Sequence, residues 1–400
     1  MLLDGPERRR PSPPGPRPAG WAQGGGAGEA PWGEPGCEPG PIAAEDRGFA
    51  LPPLVDQHGL GVSHGELGLG SFESLLATAG GSHGAAPPGT TFFDTWTGLA
   101  VRRWCPPLLG LEAHCTPVRY LAARRELGAY RATRLLLRGC GIGAYLLETG
   151  TAAELTSAHE LASAADAPAH EIVRLEPLAE QVADTSGTVG DFLGNTAEAL
   201  YTAARYAVAF ACAPGLGDAQ PPDAPTVRRA ADRWLGTRTR GAGLDDPVLL
   251  RHLMWNAVAT GLPVQLHCPQ PEQIATFLAA TAGLGTDLVL LPGHGGHERA
   301  ARFAAVFPHV YADVGPAPQE TLRQAPFGKL LFSTGARALP ELYVVAACLF
   351  AERMAQLARE WAAEGVCTEP EAWRIASLVA AGTARRVYRL AAGAGSSSAG

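Results

Sequence analysis

The sequence predicts a (β/α)8 barrel of the TIM type, and three observations indicate it. Short, almost continuously apolar segments alternate with longer amphipathic ones, as in parallel sheets covered on both faces. The alternation repeats eight times, and 400 residues suffice for one such barrel with extensions. No G-x-G-x-x-G or G-x-x-x-x-G-K-[ST] motif follows a strand, so these kinds of nucleotide binding are not supported. A doubly wound open sheet is the alternative.

The predicted elements follow one another in β-then-α order. The strands are expected at 53–56, 144–150, 171–177, 206–213, 262–268, 287–293, 310–315 and 329–335. Helical periodicity lies at 118–138, 224–236, 246–261, 271–283, 297–307 and 339–365. A closing helix at 370–390 is expected to pack outside the barrel. The stretch 68–143, between the first two strands, is longer than one helix requires and predicts a helical insertion.

Three regions are expected along the chain. The head, 1–48, is rich in proline and glycine, a composition that cannot bury enough apolar surface to fold, and it is predicted to be disordered. The barrel is expected over 49–390. A short Ala/Gly/Ser tail, 391–400, is again predicted to be disordered.

Composition excludes several classes of function. The net charge of −7 gives no basic footprint for nucleic acid or an anionic membrane. No stretch approaches the about 20 apolar residues of a membrane span, and no secretory signal follows the start. The eight cysteines lack C-x-x-C spacing, which favours reduced thiols and a cytoplasmic protein. Lys329 is the only lysine and begins the last strand, which argues against a carbamylated-lysine bridge or a Schiff base.

Candidate metal ligands lie where predicted strands end, because barrel enzymes place their chemistry at the C-terminal ends of the strands. His58 follows the first strand in "PLVDQHGLG", His267 ends the fifth, and His294 lies in a glycine-flanked loop after the sixth. These three imidazoles are candidate ligands for a divalent ion. Asp56 is expected either to orient His58 or to satisfy the backbone at the strand exit.

Three acidic residues at strand ends are weaker candidates, either as carboxylate metal ligands or for acid/base catalysis: Glu148, Glu176 and Asp313. The alternative for such glutamates is an ion pair with arginine, and Arg174 lies two residues before Glu176.

Several segments resemble the amidohydrolase-related (amidohydrolase 2) family, in particular actinobacterial members similar to the N-terminal barrel of FluG-type proteins. The segments include "DPVLLRHLMWNAVATGLPVQLH", "FPHVYADVG" and "APFGKLLFSTGARALPELY", and the resemblance covers roughly 50–390. It implies a barrel of the metal-dependent hydrolase (amidohydrolase) superfamily. It also implies a metal site built from a His-x-His after the first strand, ligands after the fourth, fifth and sixth, and an aspartate after the eighth.

This chain departs from that pattern at four positions. His58 and His267 are retained, but the residues at the remaining positions cannot take the implied roles: Leu60, Ala211, Pro292 and Gly335. Loss of ligands removes the activated water, and loss of the aspartate removes the general base. The resemblance therefore implies a degenerate metal site.

Two functions remain open. The first is a catalytically impaired homologue (pseudoenzyme) that holds no metal and binds a small molecule, a partner enzyme or an active paralogue. The second is an active hydrolase of C–N or related bonds. It would use zinc, manganese or iron in a rearranged site around His58, His267 and His294. A homo-oligomer is compatible with both.

Overall fold

The computed structural model describes residues 51–79, 86–150, 154–214, 219–239, 241–293 and 295–391. Within them, eight parallel strands form one sheet in the order of the chain, which confirms the predicted (β/α)8 barrel. The strands are β1 Leu54–Gly59, β2 Ile142–Thr149, β3 Ala169–Arg174, β4 Ala209–Cys212, β5 Val264–His267, β6 Leu288–Leu291, β7 Val310–Asp313 and β8 Leu330–Leu331. The head predicted over 1–48, and all of the predicted tail except Ala391, lie outside the described residues.

Backbone hydrogen bonds bring the first strand to the last. The N–H of Gln57 donates to Phe332 O at 3.1 Å, and the N–H of Gly335 donates to His58 O at 3.0 Å. The strand predicted over 329–335 is therefore shorter than expected as a regular strand, but the chain beyond it still bonds to β1. Gly335 has φ of 57°, a left-handed conformation that glycine adopts without steric cost.

Between β1 and β2, the described part of the chain forms the α-helices α1 Leu69–Ala79, α2 Trp96–Leu108, α3 Pro117–Leu127 and α4 Ala129–Gly139. The side chain of Thr95 caps α2 and that of Thr116 caps α3, each accepting a backbone N–H. The single helix predicted over 118–138 is two helices, because Gly128 interrupts it with φ of 79°.

The helices that follow pack around the sheet. They are α5 Ala158–Ala165, α6 Leu175–Thr185, α7 Val189–Ala203, α8 Ala224–Thr237, α9 Pro247–Ala259, α10 Ala275–Ala280, α11 His297–Val306 and α12 Pro340–Ala363. The strand predicted over 171–177 ends at Arg174, so Glu176 lies in the first turn of α6 rather than at the end of a strand.

The C-terminal segment contradicts one prediction. It forms α13 Glu369–Ser377, a π-helical turn at Leu378–Gly382, and α14 Thr383–Val387. Ala384, Val387 and Tyr388 are buried together with Val55 and Leu146 from inside the barrel. The expectation that this segment packs outside was wrong, because its apolar residues share one buried core with apolar residues of the strands.

A buried ion pair joins the helical insertion to α12. The Nε of Arg124 donates to Oε1 of Glu341 at 2.8 Å, and the hydroxyl of Tyr120 donates to the same oxygen at 2.9 Å. The carboxylate of Glu341 is completely buried. This contact ties α3 to the start of α12.

Among the described helices, none has the length and apolar content needed to cross a membrane.

Candidate metal centre

Three side chains with metal-binding chemistry converge at the C-terminal edge of the sheet. His58 lies near the end of β1, Glu148 is the penultimate residue of β2, and His267 is the last residue of β5. One ligand atom from each lies within 4.8 Å of the other two. Because the strands are parallel, their C-terminal ends meet at one mouth of the barrel, and residues far apart in the chain become neighbours there.

His267 contacts both of the other side chains. Nε2 of His267 lies 2.5 Å from Oε2 of Glu148, and the rings of His58 and His267 have centroids 5.2 Å apart. The carboxylate of Glu148 is completely buried, whereas the side chain of His267 is 26% exposed. The cluster is therefore closed on the side of β2 and partly open at β5.

His58 is neutral at ordinary pH. Burial, assisted by the nearby charge of His267, lowers the pKa of the His58 imidazole to about 4. Its Nδ1 lies 3.0 Å from Oε1 of Gln265, a buried residue in β5. Since metals bind unprotonated imidazole nitrogen, this environment keeps His58 in the form that a metal requires.

Glu148 is held as a carboxylate. Burial alone would raise its pKa, but the hydrogen bond from His267 and the charges of His267 and Arg174 lower it to about 2. Nη1 of Arg174, at the end of β3, donates to Oε1 of Glu148 at 2.9 Å. The carboxylate is thus shared between an imidazole on one oxygen and a guanidinium on the other.

Glu176 has a different surrounding from Glu148. Its two carboxylate oxygens accept hydrogen bonds from Arg174 at 3.3 Å each, and one of them also accepts the N–H of Ala213 at 2.6 Å. It links the start of α6 to the end of β3 through Arg174 and to the chain after β4 through the N–H of Ala213. Glu176 is not among the three converging ligand groups.

Asp313, the last residue of β7, pairs with His297 at the start of α11. Nε2 of His297 lies 3.3 Å from Oδ2 of Asp313. Burial alone would raise the pKa of Asp313, but the hydrogen bond and charge of His297 lower it. Burial alone would lower the pKa of His297, but Asp313 raises it. The sequence assigned His297 only to a helix start, and the aspartate ending the next strand was the signal that it has a partner.

The carboxylate of Asp56 accepts backbone hydrogen bonds. Asp56 is fully buried, and its carboxylate accepts the N–H of His58 at 3.3 Å and the N–H of Thr334 at 2.8 Å. The Thr334 hydroxyl donates to its second oxygen at 2.6 Å. Burial raises the pKa of this carboxyl to about 7. Of the two roles considered for Asp56, these bonds correspond to satisfying the backbone at the strand exit.

The four positions at which this chain departs from the family pattern supply no metal ligand. Ala211 is buried in the wall of the barrel, and Gly335 turns the chain after β8. Leu60 and Pro292 carry no donor atoms in their side chains. His294 lies outside the described residues. Glu148, which the sequence suggested as a carboxylate ligand or an acid/base group, lies beside the two histidines.

The chemical types of these three ligand groups suit a divalent metal ion. Two imidazoles and one carboxylate are a ligand set found in catalytic zinc sites and in mononuclear iron sites. Ligand atoms that lie about 2.0–2.2 Å from a metal ion are roughly 3 Å or more from one another. The hydrogen bond between Nε2 of His267 and Oε2 of Glu148 therefore has to break when a metal ion binds. The positive charge of Arg174 beside Glu148 repels a metal cation. This repulsion lowers the affinity of the site for a metal ion but leaves its three ligand groups in place.

No protein-family model and no curated protein matches the chain. Solved structures match it over most of its length. A protein from Lactobacillus casei, provisionally described as a metal-dependent hydrolase, is 18% identical with a TM-score of 0.68, covering 84% of this chain and 95% of its own. Uronate isomerase from Thermotoga maritima is 14% identical with a TM-score of 0.57, covering 84% and 94%. Glucuronate isomerase from Caulobacter crescentus is 13% identical with a TM-score of 0.53, covering 85% and 92%. At these identities the likeness establishes the fold: this chain is a TIM barrel like those of metal-dependent hydrolases and uronate isomerases.

Proposed function

We propose that this barrel binds one divalent cation through His58, Glu148 and His267 and hydrolyses a C–N or related bond of a small molecule. The observation that carries the proposal is the convergence of these three ligand groups at the C-terminal ends of β1, β2 and β5. The barrel fold, shared with metal-dependent hydrolases, supports it. The cytoplasmic location and the narrower amidohydrolase 2 membership belong to the same proposal.

The residues of the chain supply three things to such a reaction. His58 offers a neutral imidazole, Glu148 a buried carboxylate, and His267 a partly exposed imidazole beside solvent. A set of three protein ligands leaves a coordination position open for water or substrate. Zinc, manganese or iron bound there would lower the pKa of a coordinated water toward about 7.

A proton acceptor has to come from somewhere other than the end of β8, where Gly335 carries no side chain. We assign this role to the pair of Asp313 and His297, in which the carboxylate accepts a hydrogen bond from the imidazole. The His297 side chain is 25% exposed, so solvent and a small substrate reach it. An imidazole oriented by a carboxylate is a common arrangement for general acid/base catalysis.

A catalytically impaired barrel that binds a small molecule, partner enzyme or paralogue is the second candidate. Arg174 favours it, because its guanidinium already neutralises Glu148 at 2.9 Å and repels a second cation. In that case the cluster is a polar binding pocket without hydrolytic activity. Either candidate is compatible with a homo-oligomer.

Metal content separates the two candidates. The full-length protein, purified without chelator or affinity-column metal, is analysed for zinc, manganese and iron, and Zn²⁺ is then titrated into it by calorimetry. We expect about one ion per chain, lost in His58→Ala, Glu148→Gln and His267→Ala. His252→Ala is the matched control, because His252 lies on α9 and bonds to Asn256. A folded protein that takes up no Zn²⁺, manganese or iron would contradict the first candidate and favour the second.

A further inference from the structure

We infer that Gln265 is a positioning residue that, together with Gln57 and Tyr388, holds His58 with its proton on Nδ1 and leaves Nε2 as the ligand atom. The inference deepens the proposed function and rests on it for the consequence to metal binding. The tautomer itself is a property of the metal-free protein and is measured separately.

The surroundings of Gln265 fix which way its amide points. One of its amide atoms lies 2.7 Å from the carbonyl oxygen of Gln57. A carbonyl oxygen only accepts, so the atom facing it is the nitrogen. The other amide atom, the oxygen Oε1, therefore faces Nδ1 of His58 at 3.0 Å.

That orientation decides the tautomer of His58. An amide oxygen has no hydrogen, so a hydrogen bond between Oε1 of Gln265 and Nδ1 of His58 requires the proton on Nδ1. A neutral imidazole carries one N–H, so Nε2 has the free lone pair. Metal-binding histidines generally donate their second ring N–H to a fixed acceptor, which sets both the tautomer and the ring orientation.

The amide of Gln265 is itself held in place. Its NH2 group also lies 2.7 Å from the hydroxyl of Tyr388 and 3.0 Å from Oε1 of Gln57. The Tyr388 hydroxyl in turn donates to Oε1 of Gln57 at 2.7 Å. Gln57 and Gln265 are fully buried and Tyr388 is 3% exposed, so water does not replace these partners. Turning the amide over would place two oxygens against each other, which is costly in a buried network.

The test uses the full chain with Gln265→Met. Methionine has a similar length and offers no comparable acceptor to His58. Nitrogen-15 NMR of the His58 ring in the metal-free protein reports the tautomer, and calorimetry reports the Kd for Zn²⁺. We expect the wild type to carry the proton on Nδ1. We expect Gln265→Met to lose the Nδ1–H tautomer as the dominant form and to weaken Zn²⁺ binding by about 10–100-fold.

The outcomes are distinguishable from those of the metal test. A folded Gln265→Met protein with the wild-type tautomer and the wild-type Kd would overturn the inference. If Gln265→Met does not fold, an Nε2–H tautomer in the wild type overturns it instead. A wild type that takes up no Zn²⁺, yet carries the Nδ1–H tautomer and loses it in Gln265→Met, contradicts the proposed function while supporting the assignment of Gln265.

Discussion

Two buried arginine–carboxylate pairs lie in different parts of this molecule, and their chemistry is almost the same. Arg124 and Glu341 join the helical insertion to α12 at 2.8 Å, and Arg174 and Glu148 join the ends of β3 and β2 at 2.9 Å. In both, the carboxylate is completely buried. Distance and burial alone therefore do not tell a structural pair from a functional one.

The surroundings differ. The pair of Arg124 and Glu341 is enclosed, with the arginine 4% exposed and the hydroxyl of Tyr120 as a further partner. The side chain of Arg174 is 22% exposed, and its partner Glu148 also binds an imidazole. What makes the second pair a candidate site is access to solvent together with ligand-type neighbours from other strands.

The largest expected effect comes from breaking the enclosed pair. Glu341→Ala leaves the guanidinium of Arg124 buried without its counter-charge, which typically costs about 3–5 kcal/mol of the free energy of unfolding. Urea denaturation of the variant and the wild type measures the difference. Zn²⁺ affinity should not change in the folded fraction. A loss below about 1 kcal/mol would show that water or another group reaches Arg124.

Removing the arginine of the open pair should strengthen metal binding. Arg174→Met deletes a positive charge beside Glu148, and at a few ångströms in a protein environment such a repulsion amounts to a few kcal/mol before relaxation. We expect the Kd for Zn²⁺ to fall by about tenfold or more, measured by calorimetry. Arg124→Met is the matched control, which should lose stability and leave the Kd unchanged. Weaker Zn²⁺ binding by Arg174→Met would mean that the guanidinium holds Glu148 in position for the ion.

The third pair, His297 and Asp313, should contribute the least to the free energy of unfolding, and this contribution should depend on pH. The folded-state pKa of His297 is raised above 6.5, so its stabilising effect is present below pH 6.5 and lost as pH rises through the raised value. The folded-state pKa of Asp313 is lowered below 3.8, so the stabilising effect of its carboxylate is present above pH 3.8 and is lost as pH falls through the lowered pKa.

The stabilisation by this pair is therefore largest between about pH 4 and 6.5. Because His297 is partly exposed, we expect at most about 1 kcal/mol. The free energies of unfolding of the wild type and His297→Gln, compared from pH 3 to 9, measure it. A difference that is constant across this range would show that the pair is held by packing rather than by charge.

Much of the fold could be predicted from the sequence because parallel strands covered on both faces give short apolar runs. The C-terminal segment could not be placed, since a helix with alanine and valine on its buried side packs equally well inside or outside a barrel. His58 and His267 could be found because each ends a strand. Their contact with Glu148 depends on the closing of the sheet, which no local pattern specifies.

Gln57 and Gln265 were missed. Each is an amide-bearing residue within a short strand whose neighbours are buried, in "LVDQHG" and "VQLH", and that position was the available signal. Its interpretation required a partner, because a buried amide is costly unless its donors and acceptors are satisfied. The partner, Tyr388, comes from the segment that was predicted to lie on the outside.

The contact between Tyr388 and Gln57 spans 331 positions of the chain. During synthesis, all eight strands leave the ribosome before Tyr388 is made. Until then, the amides of Gln57 and Gln265 lack one of their final partners, and the apolar strand residues that pack against the C-terminal segment are uncovered. The barrel is therefore completed only after Tyr388 has been made, and a nascent chain interrupted before Tyr388 would expose an interior that chaperones and proteases recognise.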